Sequence, residues 1–267
     1  MSQTYQKLTI VGLATVMLAI PSIVHAQLSP ISRQVALESE QEQLSAVDLY
    51  NRGVDKLDAG DYSGAISDFS DALELDPSDA DSHYNRGYAY QTLGNQRAAV
   101  YDYTEAIKIK PDFEQAYTNR GTAYLALEKY QEAIADFDEV IKLSPKNEAA
   151  LLSRGNAKQQ LEDYQAALAD YEEVISNNSQ NAMAYYQRGL TYNQLEQHSN
   201  ALTDYTEALK IQPTFAEAFY NRGITKFKLK NIEQAIEDLE KAAELYQQEG
   251  RTENYQSAMN AIQQIQE

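Results

Sequence analysis

Cysteine is absent from the 267-residue chain, and histidine occurs only three times. Without cysteine the protein forms no disulfide, has no thiolate nucleophile and offers no cysteine ligand to a metal. Packing and polar contacts between side chains must therefore hold the fold together.

Basic residues are scarce relative to acidic ones. Twenty-two Lys and Arg residues stand against 40 Asp and Glu residues, so the formal net charge is −18. This charge repels nucleic acid phosphates and anionic lipid surfaces within a Debye length of about 8 Å at physiological ionic strength. The composition argues against a nucleic acid partner and favours a neutral or basic one.

Long apolar runs are also missing. The apolar stretch Leu8–Ile20 has 13 residues, follows Lys7 and ends at Pro21, whereas a membrane-spanning helix needs about 20 residues. Its length fits the core of a secretory signal peptide, and Val24 and Ala26 supply small residues for cleavage. We expect residues 1–26 to be an export signal removed after Ala26; an uncleaved membrane anchor is the alternative.

Four residue types recur six times with a period of 34 residues, which predicts a repeat architecture. An Arg-Gly pair opens each set, and an Ala and an Asp follow at constant offsets. The arginines are Arg52, Arg86, Arg120, Arg154, Arg188 and Arg222, and the glycines are Gly53, Gly87, Gly121, Gly155, Gly189 and Gly223. The alanines are Ala65, Ala99, Ala133, Ala167, Ala201 and Ala235, and the aspartates are Asp68, Asp102, Asp136, Asp170, Asp204 and Asp238.

Numbering each repeat from Ala46 divides the chain into six units: 46–79, 80–113, 114–147, 148–181, 182–215 and 216–249. Apolar residues recur twice at helical spacing in each unit, which predicts two helices per repeat. We expect residues 27–45 to be a linker or an N-terminal extension of the first helix. Residues 250–267 form a capping helix, with Thr252 as its cap and one apolar stripe of Tyr255, Ala258, Met259, Ile262 and Ile265.

Glycine inside a helix costs about 1 kcal/mol relative to alanine, so the six repeated glycines need an offsetting gain. We expect the glycine at repeat position 8 and the alanine at position 20 to let the two helices of a repeat approach closely. The arginine at position 7 is expected to pair with an aspartate at position 23. The sequence leaves open whether that aspartate belongs to the same repeat or to the preceding one.

The repeat pattern resembles the tetratricopeptide repeat family over about 204 residues. The matching features are aromatics at positions 4, 11 and 24, Gly at 8, Ala at 20 and Pro at 32; Leu151, Lys158, Ser179 and Leu239 are local departures. The resemblance implies an all-α fold, an α-solenoid of six helix-turn-helix repeats with a right-handed superhelix, closed by a C-terminal capping helix.

In this family the first helices of successive repeats line a concave groove that holds a peptide or a partner helix. Carrying the groove positions onto this sequence gives a surface rich in tyrosine and aliphatic residues, with Gln91, Gln159 and Asn193 as polar points. The implied groove residues are Tyr50, Val54, Tyr84, Tyr88, Thr118, Thr122, Leu152, Asn156, Tyr186, Leu190, Tyr220, Ile224 and Phe227. The basic residues with which some members grip a C-terminal carboxylate are absent, so an apolar to mildly basic segment is the expected partner.

Catalytic and metal-binding groups are not evident. His83 and His198 occupy framework positions of the repeat, and the acidic stretch "DPSDAD" at 76–81 lacks the turn glycine and distal glutamate of a calcium loop. The sequence therefore predicts a protein that is not an enzyme and has neither a cofactor nor a metal.

Two functional hypotheses remain. The first is an exported assembly adaptor of the bacterial periplasm or thylakoid lumen, because the repeat style resembles exported bacterial tetratricopeptide proteins, including those of photosynthetic bacteria. Its role would be in assembling an envelope or membrane complex, such as a photosystem. The second is a structural envelope protein that associates with itself as a homo-oligomer.

Overall fold

The computed structural model describes residues 44–267, which form thirteen α-helices and no β-strand. The first twelve helices are six antiparallel pairs, one pair in each 34-residue repeat. In chain order the helices are α1 (Ala46–Asp58), α2 (Tyr62–Leu75), α3 (Ala80–Thr92), α4 (Gln96–Ile109), α5 (Glu114–Ala126), α6 (Tyr130–Leu143), α7 (Glu148–Gln160), α8 (Tyr164–Asn177), α9 (Ala182–Gln194), α10 (His198–Ile211), α11 (Ala216–Lys228), α12 (Ile232–Gln248) and α13 (Thr252–Gln266).

The turn inside each repeat reverses the chain through one residue in the left-handed backbone region. In the first two repeats this residue is Gly60 or Gly94, with φ of 77° and 82°. In the other four it is a residue with a side chain: Glu128, Glu162, Glu196 and Lys230, with φ between 58° and 63°. The left-handed conformation costs an L-residue about 1–2 kcal/mol, so these four turns are strained where the first two are not.

Packing between helices follows one rule along the array. Each first helix packs against the second helix of its own repeat, and each second helix packs against the first helix of the next repeat. Successive first helices also contact one another, whereas no comparable contact joins successive second helices within residues 46–267. The first helices therefore lie closer together and form the inner side of an all-α solenoid.

The repeated glycines lie where the two helices of a repeat cross, as expected. A Cβ atom built on Gly155 would stand 2.6 Å from Cε1 of the fully buried Tyr171, and one on Gly189 would stand 2.7 Å from Cε1 of Tyr205. On Gly223 it would stand 3.0 Å from the backbone oxygen of Ala235, the position-20 alanine. Normal Cβ contacts begin near 3.4 Å, so glycine is required for this close approach.

The last helix, α13, covers the sixth repeat. Ala258 is buried in a cluster with residues of α12, and Ile262 is also buried. Two details of the sequence interpretation were wrong. Met259 is 39% exposed rather than part of the covering stripe, and the residue preceding the helix is Arg251, which makes no side-chain capping bond, so Thr252 is the first helical residue instead of the cap.

The N-terminal predictions fall mostly outside the described residues. The expected signal peptide, 1–26, and nearly all of the expected linker or helix extension, 27–45, lie there. Leu44 and Ser45 are described and are not helical, so α1 begins at Ala46 without a helical residue directly before it.

Candidate functional site

Six arginine–aspartate pairs hold the helices of each repeat together. Every arginine donates two hydrogen bonds to the aspartate sixteen residues later in its own repeat, from Nη2 at 2.6–2.8 Å and from Nε at 2.8–3.1 Å. The predicted pairing is thus confirmed, and the open choice of partner is resolved in favour of the same repeat. Such bidentate pairs are among the strongest hydrogen-bonded contacts between side chains.

Four of the six arginines also reach the preceding repeat. Nη1 donates to the side chain at position 25 of that repeat at 2.7–3.3 Å, which links Arg86 to Ser70, Arg120 to Thr104, Arg154 to Asp138 and Arg222 to Thr206. One guanidinium therefore joins two helices of its own repeat to one helix of the repeat before. This arrangement assigns the arginines and aspartates to structure rather than to catalysis.

The residue at repeat position 11 determines whether the aspartate at position 23 has a second cation beside it. Lys56, Lys158 and Lys226 occupy position 11 in three repeats and place a second cation 2.7–2.8 Å from the aspartate. Tyrosine occupies it in the others; the guanidinium of Arg120, for example, lies 5.9 Å from the ring centroid of Tyr124. Lysine at this position, one of the departures from the family pattern, thus fills a defined structural role.

The pKa values of three aspartates reflect these surroundings. Hydrogen bonds from Arg52 and Lys56 lower the pKa of Asp68 below its ordinary value, whereas burial is the largest influence on Asp136 and Asp204 and raises their pKa values. Asp136 and Asp204 belong to repeats with tyrosine at position 11, and no lysine shares their charge.

The two histidines within residues 44–267, His83 and His198, make contacts that fit framework positions. His83 is buried, with Nδ1 3.3 Å from Oδ1 of Asp102, and Nδ1 of His198 lies 2.9 Å from Oδ1 of Asn193. In the 76–81 stretch, Asp76 accepts hydrogen bonds from Ser78. Among residues 44–267 no group of three or more His, Cys, Asp or Glu residues is arranged to hold a metal ion. No helix in that range is long and apolar enough to cross a membrane.

The expected groove residues all lie on the first helices, which form the inner side of the array. None of the thirteen is fully buried: Tyr88 is 43% exposed, Phe227 is 40% exposed, Thr122 is exposed, and the others are half-buried. Apolar members concentrate at the two ends of the row, and the middle repeats contribute Thr118, Thr122, Leu152 and Asn156. The inner side is therefore accessible along its length and most aromatic towards its ends.

Three of these tyrosines also make contacts at the junction with the next repeat. The ring of Tyr84 lies 4.9 Å from that of Phe113, and the ring of Tyr186 lies 4.7 Å from that of Phe215, measured between centroids. Each phenylalanine is the last residue of the same repeat and directly precedes the first helix of the next one. The hydroxyl groups of Tyr50, Tyr84 and Tyr186 accept a hydrogen bond from an asparagine of the next repeat, at 3.0–3.2 Å. Burial raises the pKa of Tyr186 to about 12. These side chains hold the repeats together and at the same time form part of the inner wall.

A cleft at the N-terminal end brings four of the groove residues together. Tyr50 and Val54 from α1 face Tyr84 and Tyr88 from α3 across a space of about 420 Å³. The remaining lining residues are Leu57, Asp58, Tyr62 and Asn85. Near the other end, Tyr220 lines a smaller pocket of about 180 Å³ with Tyr246, Asn254 and Ser257. The N-terminal cleft lies within the size range typical of ligand sites.

The polar groove residues at repeat position 12 form hydrogen bonds with the buried tyrosines at position 24. The hydroxyl of Tyr103 donates to Gln91 at 2.6 Å, that of Tyr171 donates to Gln159 at 3.2 Å, and Asn193 donates to the hydroxyl of Tyr205 at 3.0 Å. The sequence interpretation missed this pairing, although the signal is present in the chain. Position 12 is Gln or Asn wherever position 24 is Tyr, it is Leu where position 24 is Phe, and it is Phe where position 24 is Leu.

The described residues thus define an all-α repeat solenoid with an accessible inner wall. Tetratricopeptide repeat models match residues 80–113, 114–147, 149–181, 182–215 and 216–249, and a TPR repeat model matches residues 55–94. These matches cover well over half of the chain, which therefore belongs to the tetratricopeptide repeat family. Members of this family are typically non-enzymatic scaffolds for protein interactions.

Solved structures with the same fold include three tetratricopeptide proteins. MamA from Desulfovibrio magneticus is 24% identical, with a TM-score of 0.59 over 63% of this chain and 96% of that one. YrrB, described as a TPR protein with an unusual peptide-binding site, is 24% identical, with a TM-score of 0.57 over 72% and 96%. A tetratricopeptide repeat protein from Parabacteroides merdae is 22% identical, with a TM-score of 0.60 over 86% and 92%. A search of curated proteins found no match.

Proposed function

We propose that this protein is a non-enzymatic adaptor that binds another protein along the inner wall of its solenoid. The observation that carries the proposal is the cleft of about 420 Å³ between α1 and α3, where tyrosine rings from two consecutive repeats remain accessible. Tyrosine is enriched in the cores of protein interfaces because it offers a large contact area at a small entropic cost. YrrB, which shares the fold, is described as having an unusual peptide-binding site, and this is consistent with such a use of the inner wall.

The charge of the chain restricts the partner. With a net charge of −18, the protein attracts neutral or basic segments more readily than acidic ones. The partner we propose is an apolar to mildly basic protein segment. Its C-terminal carboxylate would not be gripped, because the basic residues that some family members use for this are absent.

The cellular role is proposed from the N-terminal sequence. The apolar run and the small residues near Ala26 support export to a bacterial periplasm or thylakoid lumen, with a retained membrane anchor as the alternative. In that compartment the adaptor would assist assembly of an envelope or membrane complex, such as a photosystem. Mass spectrometry of the mature N-terminus tests the export step, because cleavage leaves Gln27 as the first residue.

Affinity capture from the native host tests the binding surface. The test variant replaces Tyr88 and Phe227 by alanine, since both side chains are exposed on first helices. The control variant replaces Tyr101, which is 61% exposed on the second helix α4, and Met259 of α13. Partners retained by the wild type and the control but lost by the test variant support the proposal. Equal recovery by all three proteins would contradict it.

Self-association is the competing explanation for the same surface. Sedimentation of the purified protein at increasing concentration separates the two, because an adaptor with a free inner wall stays monomeric. A concentration-dependent dimer that the Tyr88 and Phe227 substitutions abolish would show that a second copy occupies the wall.

A further inference from the structure

We propose that the N-terminal cleft is a recognition site for an arginine side chain of the partner protein. This inference rests on the proposed function and specifies which side chain the inner wall takes between α1 and α3. The ligand class is a guanidinium cation, held by aromatic rings and one carboxylate.

Four phenol rings line the cleft, from Tyr50, Tyr62, Tyr84 and Tyr88. Aromatic rings attract cations through the negative potential of their faces, and several rings around one space form the kind of cage that selects cationic groups. Tyr88 is exposed, and the other three rings are half-buried, so part of this aromatic surface remains open to a ligand. A purely apolar ligand would use the same rings but would gain nothing from the charge beside them.

Asp58 supplies that charge. It is the last residue of α1, it is exposed and it lines the cleft. The two basic residues of its repeat, Arg52 and Lys56, both contact Asp68 at 2.6–2.8 Å. The Asp58 side chain makes no ion pair or hydrogen bond with any residue in the described range 44–267. Its charge is therefore available to a cation that enters the cleft.

The surrounding charge favours the same ligand. Residues 46–79 contain nine acidic and two basic residues, and their net charge of −7 is the most negative of the six repeats. A neighbouring pocket, which shares Tyr50 with the cleft, is lined by Asp76, Asp79 and Asp81. The N-terminal repeat thus concentrates negative charge where the aromatic rings are, which raises the local concentration of basic segments.

Arginine fits this combination better than lysine. Its guanidinium is planar, stacks on aromatic faces, is weakly hydrated and can donate two parallel hydrogen bonds to one carboxylate. The ammonium of lysine holds its water more strongly and acts as a point charge. We therefore expect the cleft to prefer arginine in an otherwise identical peptide.

The test is a titration of the full chain, without its export signal if that is removed, with three short peptides followed by NMR. The probes are acetyl-Gly-Arg-Gly-amide, its lysine counterpart and its citrulline counterpart, which keeps the shape of arginine without the charge. We expect the arginine peptide to shift amide signals of α1 and α3 with a millimolar dissociation constant. Asp58→Asn should weaken its binding about tenfold, whereas Asp55→Asn, the same charge change on α1 outside the cleft, should leave it within about twofold.

Three results would overturn the inference: equal binding of the citrulline or lysine peptide, shifts confined to other helices, or no saturable binding of the arginine peptide. These outcomes can be told apart from failure of the proposed function. If the Tyr88 and Phe227 substitutions abolish partner capture while the arginine peptide does not bind, the inner wall is still the partner site and only the arginine assignment fails.

Discussion

Replacing Gly155 by alanine should destabilise the fourth repeat, although alanine is the better helix former by about 1 kcal/mol. The added Cβ atom would stand 2.6 Å from Cε1 of Tyr171, closer than any normal contact. Tyr171 has little freedom to move, because its ring is fully buried and its hydroxyl lies within hydrogen-bond distance of two acceptors, Oδ1 of Asn156 at 2.7 Å and Oε1 of Gln159 at 3.2 Å.

The expected magnitude follows from three opposing contributions. Forcing an extra carbon into a packed core costs about 1–3 kcal/mol, and weakening the hydroxyl contacts of Tyr171 costs about 1 kcal/mol more. Helix propensity returns about 1 kcal/mol, so we expect a net loss of about 2 kcal/mol. Gly121→Ala provides a graded comparison, since its Cβ would lie 3.0 Å from Phe137, a ring without a hydroxyl, and should cost clearly less.

Amide hydrogen exchange is the appropriate assay, because it reports local opening free energies in a repeat protein that need not unfold in one step. The amides of α7 and α8 should exchange faster in Gly155→Ala, while those of α13 change little. If Gly155→Ala were as stable as the wild type or more stable, helix propensity would outweigh steric overlap, and glycine would not be explained by close helix approach.

Three further predictions concern a turn, a buried hydrogen bond and an ion pair. Glu162→Gly should stabilise the protein by about 1 kcal/mol in urea unfolding, because it removes a left-handed φ of 61° from a residue with a side chain; an unchanged midpoint would show that this turn is not strained. Gln91→Leu and Tyr103→Phe should each cost about 1 kcal/mol, but together nearly nothing, because the double variant reproduces the apolar pair of the first and third repeats; additive losses would contradict this coupling. Since the pKa of Asp68 is lowered from 3.8, its stabilising ion pairs are complete above that pH and are lost as the pH falls through its folded-state pKa. The gap in melting temperature between wild type and Asp68→Asn should therefore be largest near neutral pH and narrow below about pH 4, and a constant gap would argue against the shift.

The 34-residue period made the architecture predictable, because the same packing requirement at the helix crossing recurs in every repeat. A glycine must face a large side chain on the neighbouring helix, which is an aromatic ring in five repeats and Leu239 in the sixth, and the chain shows both residues at constant offsets, as with Gly155 and Tyr171. The pairing of Arg120 was only half predictable. Positions 7 and 23 lie at similar heights in adjacent repeats, so spacing alone does not separate the aspartate of the same repeat from that of the preceding one. The structure shows that the guanidinium contacts both repeats, with Asp136 on one side and Thr104 on the other.

Other features depend on three-dimensional packing and were not predicted from the sequence. The left-handed backbone at Glu162 has no signal in its own turn, and only the glycines at the same position of the first two repeats, Gly60 and Gly94, indicate it. The inner-wall tyrosines are similar: Tyr84 was expected as a contact for a partner, and its ring also packs on Phe113. By contrast, the bond between Gln91 and Tyr103 was foreseeable from the matched residue types at positions 12 and 24.

Site-specific photo-crosslinking in the native host tests the central claim, that the inner wall formed by the first helices binds the partner. A photoreactive phenylalanine analogue at position 88 or 227 replaces a side chain exposed on that wall, and one at position 101 replaces a side chain exposed on a second helix. We expect one discrete adduct from positions 88 and 227 and none from position 101. Adducts of the same partner from position 101 alone would place the binding surface on the outer helices and contradict it.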